Sequence, residues 1–233
     1  MADFTHIETW IFDLDNTLYP SDCRLFDQID ARMTDFVMAH LQIPYDEARR
    51  RQKDYYVQYG TTLNGLMRLH GVTPEAFLDH VHDIDLAPVK PNPKLAERLA
   101  ALPGKRYVFT NGSVRHAENV MARLGVAEAF DDIFDIAAAG FLPKPHRAAY
   151  ERFMDRHGFE APRAAMFEDL PQNLEPPHAL GMTTVLVQSA AEWLADEPAE
   201  KRPARRGETH AHVHYAVECL TTFLGEVRVA KQS

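Results

Sequence analysis

Ten residues constrain this chain more than any others: Trp10 to Tyr19, WIFDLDNTLY, in which an unbroken apolar run gives way to two aspartates one position apart. A short run with no polar alternation fits a strand buried on both faces, the kind found in parallel sheets covered by helices. Ligands of open α/β sheets bind beyond the carboxyl ends of such strands, so Asp13 and Asp15 are expected where chemistry happens. Two carboxylates this close repel each other in a desolvated cleft unless positive charge offsets them. Mg²⁺ suits the task, because it takes one or two protein carboxylates and fills its remaining octahedral positions with water and phosphate oxygens. A surface Asp-x-Asp turn has the same spacing but lacks the apolar strand.

Three more strand-to-polar transitions follow. Arg106 to Thr110 is an apolar-aromatic run that ends in Thr110-Asn111-Gly112-Ser113, and a helical pattern covers Val114 to Leu124. Such a turn offers Thr110, Asn111 and the Gly112 backbone to an anion, with a helix N-terminus behind them; plain turn and capping chemistry is the alternative. Ile133 to Ile136 predicts a third strand, followed by Lys144 between two prolines and a helix over His146 to His157. The prolines constrain the lysine's backbone, and a point charge there fits a phosphate, although a loop lysine would look alike. Ala164 to Phe167 predicts a fourth strand running straight into Glu168-Asp169, with Asn173 beyond. Asp169 would be the other direct carboxylate ligand to the cation, with Glu168 and Asn173 behind it as supporting groups; helix capping is the competing role for Asp169 and Asn173.

These four clusters, Asp13-Leu14-Asp15-Asn16-Thr17, Thr110-Asn111-Gly112, Lys144 and Glu168-Asp169, resemble in order and spacing the four motifs of the haloacid dehalogenase-like hydrolase superfamily, from about Ile7 to Val187. The resemblance implies a nucleophilic Asp13, a general acid/base at Asp15, phosphate anchors at Thr110 and Lys144, and Mg²⁺ held by Asp13 and Asp169, with Asp15 as a further metal residue. It also implies phosphate substrates, since the dehalogenase branch carries no acid two residues after the nucleophile. The residue types agree with those roles. A carboxylate nucleophile divides ester hydrolysis into two steps, and a second acid can protonate the leaving oxygen and later deprotonate water. Phosphoryl transfer otherwise asks for positioning and charge neutralisation.

The chain has 233 residues, 45 % of them hydrophobic and 25 % charged, enough to bury a sizeable core as one domain or one plus an insert. Its formal net charge of −9 counts against nucleic-acid partners. The one basic cluster, Lys201 to Arg206, lies in a stretch from Ala195 to His210 that predicts a solvated connector. His210, His212 and His214 alternate and are expected on one face of an edge strand, with a surface metal site as the less plain reading. Cys23 and Cys219 suggest neither a disulfide framework nor thiol catalysis. With no apolar run near 18 residues and no signal-peptide pattern, the expectation is a cytoplasmic protein without a membrane partner.

Residues 20–90 are rich in helical periodicity, and too long for a βα connection without structure of their own. They predict a small helical cap inserted after the first strand, with Pro88, Pro91 and Pro93 marking the return to a core of residues 1–19 and 91–233. The segment from Tyr55 to Leu66, and Leu18-Tyr19-Pro20, are similar to the pyrimidine 5'-nucleotidase branch, which makes Tyr55 and Tyr59 candidate substrate contacts. The chain departs from many relatives at Leu170 and at Pro176-Pro177, which predicts a remodelled loop around Asp169. The expected whole is a three-layer, Rossmann-like α/β core with a predominantly parallel sheet, acting as a Mg²⁺-dependent phosphomonoesterase on pyrimidine nucleoside 5'-monophosphates. A phosphoglycolate or sugar-phosphate phosphatase is the enzymatic alternative, and a non-catalytic phosphate-sensing relative is the alternative of another class.

Overall fold

The computed structural model describes residues 2–191 and 202–230. Six strands, β1 (Thr9–Phe12), β2 (Lys105–Phe109), β3 (Asp132–Phe134), β4 (Ala164–Glu168), β5 (Thr183–Val187) and β6 (Tyr215–Val217), form one sheet in the order β3-β2-β1-β4-β5-β6. All neighbouring pairs are parallel. This is a Rossmann-like α/β core, and the strand order reverses between β1 and β4, where ligands of such sheets bind. Every residue of β1 is buried, as its apolar run requires of a central strand.

Side chains alternate across β1 and build two cores. Trp10 and Phe12 face one side, where Phe12 stacks on Phe167 at 4.6 Å and Phe4 stacks on Trp10 at 5.7 Å. Phe223 of helix α9 (Leu220–Glu226) closes edge-on against Phe4. Ile11 faces the other side, in a cluster with Phe109, Phe134, Met166 and residues Ala149, Tyr150 and Phe153 of helix α7 (Arg147–His157). The Trp10 indole N–H, buried with its ring, donates to the Pro103 carbonyl at 2.7 Å.

Between β1 and helix α5 (Pro93–Ala100) the chain forms a second compact unit, Arg24–Pro88, while Met1–Cys23 and Val89–Ser233 make up the first. The second unit holds helices α1 (Leu25–Leu41), α2 (Tyr45–Tyr59), α3 (Thr62–His70) and α4 (Pro74–Val81). Phe36 of α1 meets Phe77 of α4 edge-on at 5.2 Å. Tyr55 is 5 % exposed, and its hydroxyl lies 2.7 Å from His70 Nε2 within the same unit. Its ring packs against Gly65, where an added Cβ would sit 2.5 Å from the Tyr55 Cβ. Tyr55, a candidate substrate contact from the sequence, is thus packed within this unit. Tyr59 is half-buried, with the Arg68 guanidinium 5.9 Å from its ring centre.

Several expectations shift against the structure. β3 starts one residue early and ends at Phe134, because Asp135 leaves the sheet to accept from the N–H groups of Val114 and Ala138. Pro176 and Pro177 do not break a helix. They lie in the opening turn of α8 (Glu175–Leu180), where a missing N–H costs nothing. Residues 195–201 of the predicted connector lie outside the described ones, and of the rest Arg206, Gly207 and Thr209 are exposed whereas Arg202 to Ala204 are buried. Ala204 is fully buried, its N–H donating to the Asp169 carbonyl at 2.8 Å while its carbonyl accepts from Ser189 N. Arg202, also buried, pairs with Glu208 at 2.6 Å. The alternating histidines precede β6 instead of forming its face. His214 Nδ1 is used by Thr184, and His212 Nε2 lies 2.8 Å from the Pro171 carbonyl. Among the described residues no helix is long and apolar enough to cross a membrane.

The Gly65–Tyr55 contact gives a test of sign. Replacing glycine by alanine inside an exposed helix normally stabilises by about 1 kcal/mol. Here the methyl group meets the tyrosine, and overpacking of this kind costs about 1–3 kcal/mol. Gly65→Ala should therefore lower stability to urea or heat, and a stabilised variant would contradict this packing.

Candidate active site

The carboxyl ends of β1, β2 and β4 meet at one buried lysine. Lys144 Nζ donates to Asp13 Oδ1 at 2.6 Å, to Glu168 Oε1 at 2.7 Å and to the Phe109 carbonyl at 2.8 Å. Its side chain is 1 % exposed. An ammonium has three N–H donors, and all three are used here. Burial alone would discharge the group, but the Asp13 and Glu168 carboxylates reverse that and hold its pKa above the ordinary lysine value. In this state Lys144 orients the Asp13 carboxylate. Anchoring a phosphate requires it to exchange one of these bonds.

The loop presenting Lys144 is clamped by Asn111. Its Oδ1 accepts the Lys144 N–H at 2.8 Å and its Nδ2 donates to the Lys144 carbonyl at 3.2 Å. The Lys144–Pro145 peptide is cis. Thr110, 1 % exposed at the end of β2, accepts the Gly112 N–H on Oγ1 at 2.9 Å, which leaves its own hydroxyl proton to donate. The turn predicted to surround an anion thus divides its work. Thr110 keeps a donor, whereas the Asn111 amide is spent on Lys144 and the Gly112 N–H on Thr110.

Oxygen atoms of Asp13, Glu168 and Asp169 lie within 4.8 Å of one another, and all three residues are buried. Asp13 is set by its N–H bond to the Phe167 carbonyl, which continues the β1–β4 pairing by one residue. Glu168 accepts from Lys144 and Asn173 on Oε1 and from the Leu170 N–H on Oε2. Asn173 is fixed in turn, its carbonyl accepting the Tyr150 hydroxyl at 2.6 Å. Glu168 is thus fixed by Lys144, by the Asn173 amide and by the Leu170 backbone N–H. The side chain of Asp15, expected beside the cation, does not belong to this group of three. Its Oδ1 is instead bonded to the Tyr19 hydroxyl at 2.6 Å and to His116 Nε2 at 2.9 Å.

Charge decides what the group of three can hold. Three carboxylates against one ammonium leave two negative charges, the charge of one divalent cation, and every donor is the hard oxygen that Mg²⁺ prefers. Without such a cation, burial pushes the Asp13 carboxyl up to about 7, with Lys144 opposing and Glu168 and Asp15 adding to the rise. Asp169 is raised well above the ordinary carboxylate range, first by burial, then by Glu168 and Asp13. Burial alone would lower His116, but the Asp15 carboxylate raises it, which favours the protonated, donating ring.

A family model for haloacid dehalogenase-like hydrolases matches residues 7–181, a span that contains every one of these side chains. The chain belongs to this family. Among curated proteins it is 28 % identical over 200 residues to Phosphate metabolism protein 8 of Saccharomyces cerevisiae, a match covering 77 % of this chain and 61 % of that protein. The chain thus spans less than two thirds of that relative's length. Among solved structures it resembles a HAD phosphatase from Thermococcus onnurineus, with a TM-score of 0.60 at 20 % identity over 96 % of this chain and all of that one. It also resembles the L-2-haloacid dehalogenase of Xanthobacter autotrophicus, with a TM-score of 0.56 at 15 % identity over 94 % of this chain and 97 % of that one. Likeness at these identities speaks for the fold.

Sequence reasoning missed Tyr19, His116 and Tyr150. A usable signal existed for His116, which heads the stripe Ala117, Val120, Met121 and Leu124 on the buried face of α6 (Val114–Leu124), where a polar ring needs a partner. Tyr19 sits four residues after Asp15, behind the turn in which Leu18 N donates to the Leu14 carbonyl. Nothing in the sequence marks Tyr150 apart from its neighbours on α7.

The raised Asp13 pKa carries a sign. In the chelated protein Asp13 binds a proton up to about pH 7, whereas an unfolded aspartate loses it near 3.8, so the native state holds more protons between those values. Its contribution is complete below the unfolded value and is lost as pH rises towards 7. The thermal midpoint in chelator, compared between wild type and Asp13→Asn, should therefore fall more steeply for wild type from pH 4.5 to 7, and Mg²⁺ should restore it. Parallel profiles that ignore Mg²⁺ would contradict the charge balance drawn here.

Proposed function

We propose that this hydrolase is a Mg²⁺-dependent phosphomonoesterase working through an aspartyl phosphate on Asp13. The observation that carries this reading is the Asp13 carboxylate fixed 2.6 Å from Lys144 Nζ at the end of the central strand, within 4.8 Å of Asp169 and Glu168. In the first step an Asp13 oxygen bonds to phosphorus, the ester P–O bond breaks, and its electron pair stays on the leaving oxygen, which takes a proton from Asp15. In the second, Asp15 takes a proton from water, the water oxygen bonds to phosphorus, and the bond from phosphorus to Asp13 breaks to return the carboxylate. Mg²⁺ on Asp13 and Asp169 would supply charge neutralisation for the phosphoryl oxygens. Once Asp13 is bonded to phosphorus it is a weaker acceptor, and the Lys144 N–H it held can turn to a phosphoryl oxygen, with the Thr110 hydroxyl donating to another. Asp15 separates this chemistry from dehalogenation, whose halide leaves without a proton.

Pyrimidine nucleoside 5'-monophosphates are the proposed substrates. This rests on the likeness of Leu18-Tyr19-Pro20 and of Tyr55 to Leu66 to the pyrimidine 5'-nucleotidase branch, and the yeast relative's name is consistent with phosphate chemistry. The Arg24–Pro88 unit would act as the cap that excludes water and selects the leaving group, with Tyr59 its candidate substrate contact.

Two measurements test the two levels separately. Asp13→Asn should fold and lose at least about a thousandfold in turnover of any accepted ester, since an amide is a poor nucleophile; near-normal activity would remove the aspartyl phosphate. Across UMP, CMP, AMP, GMP, ribose 5-phosphate and phosphoglycolate at one Mg²⁺ concentration, kcat/KM should favour UMP or CMP over the purines. Equal nucleotide rates, or preference for phosphoglycolate, would sink the nucleotidase reading and leave the phosphatase standing.

A further inference from the structure

Asp15 is held from two sides by groups that the four motifs do not include. Tyr19 and His116, each 1 % exposed, bring a hydroxyl and a ring nitrogen to one oxygen, Asp15 Oδ1, at 2.6 and 2.9 Å. They come from different elements. Tyr19 lies in the turn that follows β1, and His116 lies on α6, whose N-cap Ser113 accepts the His116 N–H and directly follows Thr110-Asn111-Gly112. The position of the Asp15 carboxyl is thereby tied both to the nucleophile's own loop and to the turn that carries Thr110.

We propose that His116 and Tyr19 are positioning residues for Asp15, which fix its carboxyl group for the proton exchange with the leaving group. The proposal rests on the phosphatase reading and deepens it. An Asp side chain has two torsions, and a carboxyl free to rotate about them presents the proton only part of the time. Two buried donors on one oxygen fix both torsions. The step is unchanged in its balance: as the ester P–O bond breaks, the electron pair stays on the leaving oxygen and the Asp15 proton passes to it. Neither His116 nor Tyr19 gives up a proton or touches the substrate. Misplacement of a reacting group by about 1 Å can cost about a hundredfold, which makes such locking worth having.

Leaving-group dependence distinguishes positioning from simple packing. p-Nitrophenolate departs without a proton, whereas an alkoxide does not, and kcat/KM reports the first irreversible step, in which Asp15 acts as acid. The experiment compares p-nitrophenyl phosphate with the best alkyl monoester of the substrate panel, under one Mg²⁺ concentration, for wild type, Tyr19→Phe, His116→Phe and His116→Gln. Tyr19→Phe and His116→Phe should each lose about ten- to a hundredfold on the alkyl ester and no more than about threefold on p-nitrophenyl phosphate. His116→Gln, which keeps an N–H donor of similar reach, should recover most of the loss. Equal losses on both esters, or no loss on either, would overturn the proposal. Should His116→Phe fail to fold, Tyr19→Phe alone decides between these results, because it removes one oxygen and keeps the ring that fills the space. Wild type inactive on both esters would overturn the phosphatase reading and this proposal with it, whereas an active wild type with equal variant losses overturns this proposal alone.

Discussion

The ion triad of Lys144 with Asp13 and Glu168 is the interaction on which the rest of this molecule depends. A buried charge pair is weak support for stability in itself, but removing one member of such a pair costs about 3–5 kcal/mol, because the other is left unpaired. Here the members come from three places in the chain, the ends of β1 and β4 and the loop after β3, and the ammonium's third donor goes to the end of β2. The triad therefore forms only when the sheet has assembled in the order that sets β2 and β4 on either side of β1. Shells of neutral contacts then hold each member: Asn111 clamps the Lys144 peptide, while Asn173 and the Leu170 N–H hold Glu168. Charge is fixed here by neutral partners, of which Asn173 is itself buried.

That arrangement is deliberately short of positive charge. Asp169 brings a carboxylate that Lys144 does not neutralise, and burial together with its neighbours raises its pKa instead. A site two charges short, lined by oxygen and set at the switch point of a parallel sheet, suits a divalent cation and an anionic substrate together. The segment around Ala204 reaches the same place from the C-terminal side, through its N–H bond to the Asp169 carbonyl. The backbone that carries this carboxylate is thereby held by residues more than thirty positions away in sequence.

Much of this was legible in the sequence because the parallel sheet writes its function at strand ends. The apolar run before Asp13, and its counterparts before Thr110 and Glu168, mark buried strands, and the polar residues after each run can only emerge on one edge of the sheet. What each residue does there was less legible. Asn111 and the Gly112 N–H read as substrate donors, but they serve Lys144 and Thr110, since a hydrogen-bond partner chosen across the fold leaves no local trace. Asp15 read as a ligand beside Asp13, but strand geometry does not reveal that His116 and Tyr19 take its side chain elsewhere. Tyr55 read as a candidate substrate contact, because helical spacing alone does not tell the face packed on Gly65 from the face left open. Arg202 to Ala204 read as solvated from composition, which weighs charge and proline but not backbone pairing with Ser189.

The central claim is that phosphorus becomes bonded to Asp13 during turnover. It is tested most directly by quenching the Mg²⁺-loaded enzyme in acid while it hydrolyses an accepted ester, reducing the protein with borohydride, and mapping its peptides by mass. An aspartyl phosphate is reduced at the acyl carbon, so position 13 should appear as homoserine, and only in samples quenched during turnover. An unmodified position 13 under conditions of rapid turnover, or reduction at any other carboxylate, would contradict the account.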